Sequence, residues 1–144
     1  MLCHHAAAAA VAGTGVFKIK DNPTHHYLAR EGKGERVDLI TLDQLVENVS
    51  RVSLVKVDVQ GGEAGVLGGA KDLLNRREAA WLIEIMSPKH TYAADVELIA
   101  STVEVFFDGF MDTRAPLPKV RCASEFRDYL GSLDRKFTDF ALIP

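Results

Sequence analysis

An α/β fold, built on a mostly parallel sheet with flanking helices, is what this sequence predicts, and three observations predict it. A short run rich in branched apolar residues, Leu54 to Val59, ends at the turn Gly61-Gly62. Beyond the turn, Val66, Leu67, Ala70, Leu73 and Leu74 recur at helical spacing and form an apolar stripe. A second apolar run, Trp81 to Met86, closes the unit. A strand, helix, strand succession implies parallel strands, because a tight hairpin cannot join parallel neighbours.

The remaining elements follow in order. Gly15 to Lys20 places Val16, Phe17 and Ile19 among lysines and reads as a strand, with Asp21-Asn22-Pro23 as the turn behind it. Gly13-Thr14-Gly15 lacks the third glycine of a dinucleotide fingerprint and reads most simply as a turn. Val37, Leu39 and Ile40 suggest a second strand, a partner for the first. Thr41 stands three residues before Gln44, the spacing at which a hydroxyl and a returning side-chain amide satisfy each other's backbone donors, so a helix starts there. Leu42, Leu45, Val46 and Val49 give it one apolar face.

After Trp81 to Met86, Ser87-Pro88 is a cap and first helical position, and Val96, Ile99, Ala100, Val103 and Phe107 carry a helix from about Tyr92 onward. The cluster Val103 to Phe107 also suits a strand, and periodicity leaves the choice open over so short a run. Gly109 ends whichever element it is. Phe126, Tyr129, Leu130 and Leu133 make another helical stripe after Ser124, and Phe140 to Ile143 makes a closing strand.

With 144 residues, 47% of them hydrophobic and 26% charged, the chain is expected to form one domain spanning residues 1–144. The net charge of −3 comes with scattered lysines and arginines, which argues against a nucleic-acid partner. No stretch approaches the roughly 18 consecutive apolar residues of a membrane span, so neither an anchor nor a membrane partner is expected. Cys3 and Cys122, far apart and without CxxC spacing, read as free thiols of a reducing compartment, which points to the cytoplasm. The pairs His4-His5 and His25-His26 turn adjacent side chains in different directions, so no metal site is expected of them.

Ligands of open α/β sheets collect at the carboxyl ends of the strands. Asp58, Gln60, Gly61 and Glu63 occupy that position after the first strong strand, and His90 follows the second. Two carboxylates beside Gly61-Gly62 would repel a phosphate and suit a hydroxyl, a ribose or a cation. The competing reading is structural: Asp58 caps the turn, and Glu63 meets the helix dipole from the first turn. Spacing alone leaves both open. Lys56, inside the apolar run, is expected to pair with a nearby acid.

The blocks Thr41-Leu42-Asp43-Gln44-Leu45, Val55 to Glu63, Val66-Leu67-Gly68-Gly69-Ala70 and Ile83-Glu84-Ile85 together resemble, in the same order, the blocks of FkbM-family methyltransferases. The resemblance is strongest from Thr41 to Ile85. The alanine-rich start is similar to that family's third strand, and Phe140 to Pro144 to its last. It implies part of a class I, Rossmann-like methyltransferase fold and S-adenosylmethionine (SAM) dependent O-methylation of a small-molecule hydroxyl on a sugar or secondary metabolite. Asp58 is then expected to orient or deprotonate the acceptor, with Glu63 as second candidate, and Gln60, Gly61 and His90 in contact with substrate or cofactor.

Gln60 stands where the family carries glutamate, leaving a neutral hydrogen-bonding group. The glycine-rich loop and ribose-binding acid that hold SAM in this fold are expected upstream of Met1. The chain as given is therefore expected to be a truncated domain, to bind SAM weakly or not at all, and to be a poor enzyme alone. A catalytically silent interaction module, self-associating through an exposed sheet edge, is the alternative expectation.

Overall fold

The computed structural model describes residues 3–18, 27–29, 32–59, 61–90 and 93–144. Gln60, the Asp21-Asn22-Pro23 turn, the His25-His26 pair and Tyr92 lie outside the described residues, as does the side chain of His90.

Two sheets form. The first contains β1 (Ala6–Ala8), β2 (Gly13–Lys18), β3 (Tyr27–Ala29) and β4 (Glu35–Ile40) in the order β1-β4-β2-β3. β4 runs parallel to β1 and antiparallel to β2, which makes the segments around Val16 and Val37 the partners expected of them. Gly13-Thr14-Gly15 is extended rather than a turn. It pairs residue for residue with Leu39, Asp38 and Val37, because β4 offers a ladder that satisfies its backbone.

The second sheet contains β5 (Leu54–Val57), β6 (Ala80–Met86), β7 (Gly109–Asp112), β8 (Arg121–Cys122) and β9 (Phe137–Ile143), in the order β5-β6-β9-β7-β8. β5 and β6 are adjacent and parallel, as the strand, helix, strand succession requires. The expectation of a mostly parallel sheet fails beyond that pair. β9 enters between β6 and β7 and runs against both, and β8 runs against β7, so the sheet is mixed. The cause is the closing strand: β6 and β7 run the same way, but β9 separates them.

The α-helices among the described residues are α1 (Leu42–Leu45), α2 (Glu63–Gly68), α3 (Lys71–Arg76), α4 (Ala93–Phe106) and α5 (Phe126–Ser132). The Thr41 hydroxyl accepts from the Gln44 amide at 3.1 Å and Gln44 Oε1 accepts from the Thr41 amide at 3.2 Å, closing the box that starts α1. The single apolar stripe from Val66 to Leu74 is split between α2 and α3. A Cβ on Gly69 would stand 2.2 Å from the Ala9 carbonyl oxygen, so the break falls where the chain leaving β1 passes closest. Val103 lies in α4, which settles that cluster as helix, and Gly109 opens β7 instead of ending an element.

β6 shows the layering plainly. Trp81, Ile83 and Ile85 are buried, whereas Leu82, Glu84 and Met86 on the opposite face are only partly covered. The buried face meets α2, α4 and α5 in a core that includes Phe110, Phe126 and Phe140, whose rings meet edge to face at 5.0 to 5.9 Å. The less covered face carries the charges described next.

Candidate functional site

Val57, buried at the end of β5, anchors the strand, and the chain then emerges at Asp58. Lys56 and Asp58 stand two residues apart and meet in an ion pair of 2.9 Å, with side chains 58% and 44% exposed. The Lys56 ammonium is held above its ordinary value, first by the hydrogen bond to Asp58 and then by that carboxylate's charge. Lys56 thus has the acidic partner expected of it. Among the described residues Asp58 accepts no capping bond from the turn that follows.

Gly61 takes φ of 99°, a region that favours glycine, and its amide donates to Glu63 Oε1 at 2.8 Å. Glu63, the first residue of α2, is only 3% exposed. Burial raises its proton affinity above that of an ordinary glutamate; the Gly61 and Glu63 amides offset part of this, and the Glu84 and Asp58 charges add to it. The carboxylate thus faces the turn it stabilises, and it uses the Gly61 amide that a phosphate would need.

Glu84, on β6, lies directly across from Asp139 on β9. Like charges opposed across an antiparallel pair repel, and here a cation stands between them. Arg114 reaches Glu84 at 3.2 Å and Asp139 at 2.5 Å while lying over the Phe137 ring, 4.8 Å from its centre. Burial, then the Asp58 and Asp139 charges, raise the Glu84 proton affinity against the opposing pull of Arg114 and Lys56. Its backbone ties Arg114 down: its amide donates to Asp112 Oδ1 at 2.9 Å, and the neighbouring Thr113 amide and hydroxyl both donate to the Asp139 carbonyl at 3.0 Å.

The carboxyl ends of β5, β6 and β7 and the amino end of β9 therefore bring Lys56, Asp58, Glu84, Arg114 and Asp139 to one rim, with Glu63 buried beside it. Asp58 and Glu63 were expected there from their spacing. Arg114 and Asp139 were missed, since neither belongs to a motif. The signal available was the alternation in Phe137 to Ile143, which sets Asp139 on the face opposite the buried Thr138 and Phe140.

The rim carries three carboxylates against two cations and suits neutral or cationic groups. Its oxygens can accept protons from hydroxyls. Among the described residues, no group of three or more His, Cys, Asp or Glu side chains is placed to hold a metal ion. None of the helices among the described residues is long and apolar enough to cross a membrane.

A family model described as Methyltransferase FkbM domain matches residues 7–113. No curated protein and no solved structure matches the chain.

Proposed function

Since the chain belongs to the FkbM methyltransferase domain family, we propose that its chemistry is SAM-dependent O-methylation of a hydroxyl on a small polyhydroxylated or secondary-metabolite acceptor. Asp58 is the proposed proton acceptor. The observation that carries this reading is the exposed Asp58 carboxylate at the carboxyl end of β5, on a rim shared with Glu84.

SAM, when bound, supplies a methyl group on a cationic sulfur. The carboxylates of Asp58 and Glu84 have the charge that suits such a group, so the residues present fit that part of it. With that group supplied, Asp58 would orient the acceptor hydroxyl and take its proton as the methyl group is transferred to the oxygen. Glu63 is buried and bonded to the turn, and in this reading it shapes the strand end on which Asp58 stands. Gly61 shapes the same turn, and Gln60 and His90 are proposed to contact substrate or cofactor.

In methylation assays, Asp58→Asn should keep the fold and lower turnover by about 10²–10⁴-fold. An unchanged single-turnover rate on a validated acceptor would remove Asp58 from the chemistry. One observation favours a second reading, a silent module that self-associates: β5 is an outer strand of its sheet, with Leu54 63% exposed. An unchanged Asp58→Asn rate together with concentration-dependent sedimentation would point there.

A further inference from the structure

We propose that Lys56 is a positioning residue that holds the Asp58 carboxylate in place at the rim. The inference rests on the reading of Asp58 as proton acceptor. Its basis is geometric. Lys56 Nζ lies 2.9 Å from Asp58 Oδ2, and the two side chains leave the strand end together, partly open to solvent.

The charges facing Asp58 come from every neighbouring element. Glu63 on α2 and Glu84 on β6 couple to it directly. Asp139 on β9 couples to Lys56 and to Glu84, and Arg114, on the loop after β7, couples to Glu84. Arg114 is committed to Glu84 and Asp139 by hydrogen bonds, which leaves Lys56 as the cation in contact with Asp58 among the described residues. Without it, the Asp58 carboxylate would lose the partner that fixes its direction and would be repelled by the neighbouring carboxylates. A carboxylate turned away from the acceptor cannot take the hydroxyl proton.

The competing role for Lys56 is that of a charge that blunts an outer strand against pairing with another chain. The two roles differ in what they move. A blunting charge affects association and leaves the rate of methyl transfer alone. A positioning charge sets that rate without changing acceptor binding, and a conservative cation restores it.

Two measurements test the proposal. In the chain itself, the pH titration of the Lys56 Cε resonance should shift to lower pH in Asp58→Asn, and an identical titration would show that the pair does not form in solution. In methylation assays, Lys56→Met should lower kcat by a factor of about two to five, the range open to a solvent-exposed pair. It should leave the acceptor KM nearly unchanged, and Lys56→Arg should restore kcat. Equal losses in Lys56→Met and Lys56→Arg would overturn the assignment. If Asp58→Asn methylates normally while the Lys56 titration still responds, the pairing stands and the acceptor role of Asp58 is what fails.

Discussion

Asp112 and Glu63 are both buried carboxylates, and their surroundings push them in opposite directions. Burial alone would raise the Asp112 pKa, but hydroxyls of Thr138 at 2.8 Å and Tyr129 at 2.9 Å, the Arg114 amide and the Arg135 guanidinium at 3.2 Å outweigh it and hold the group below its ordinary value. Its folded pKa is depressed, so its contribution to stability is present above the unfolded value and is lost as pH falls through the folded one. We expect Asp112→Asn to lose about 2–3 kcal/mol at neutral pH in urea titrations. The gap to the parent protein should narrow on acidification, and a gap that stays constant with pH would refute the charged role. For Glu63 the sign reverses: its folded pKa is raised, so the stability linked to its protonated form is lost as pH rises through that value. Composition shows the presence of these acids, but the donors around Asp112 lie up to 26 residues away and no spacing rule finds them.

Among the elements, α1 was legible and α3 was not. The Thr41-Gln44 box closes within four residues, so its signature is local. No side chain of its own caps the start of α3; the Asp43 carboxylate does so across 29 and 30 residues, accepting from the Asp72 amide at 3.1 Å and the Leu73 amide at 3.0 Å. The Asp43 amide also donates to the Gly69 carbonyl at 3.0 Å. The Thr-Leu-Asp block thus fastens the first sheet to the break between α2 and α3. Asp43→Ala should cost about 1–2 kcal/mol in thermal unfolding and speed amide exchange at Asp72 and Leu73, while Asp43→Asn should keep most of the cap. Unaltered exchange at those two amides would show that the cap does not persist in solution.

At the scale of the whole molecule, the proposed SAM reading turns on the charge of the rim. Its three carboxylates would favour a sulfonium and oppose the carboxylate of the same cofactor. The amides of the Gly61-Gly62 turn offer that carboxylate little, because the Gly61 amide is committed to Glu63. The chain itself should therefore bind SAM weakly in calorimetry, and low-micromolar affinity, about −8 kcal/mol, would show a donor site other than this rim. What the sequence determined by itself was everything that acts over a few residues or one period. The cap at Thr41, the β5, turn, α2 unit, the stripes of α4 and α5, and Asp58 at a strand end were all readable in it. Only the tertiary structure decided that β9 lies between β6 and β7, that Gly69 breaks the helix, and that Arg114 meets Glu84 and Asp139. Those outcomes depend on groups from 25 to 61 residues apart and on one backbone passing close to another. Hydrophobic periodicity specifies which face of an element is buried, but it does not specify which neighbour covers that face.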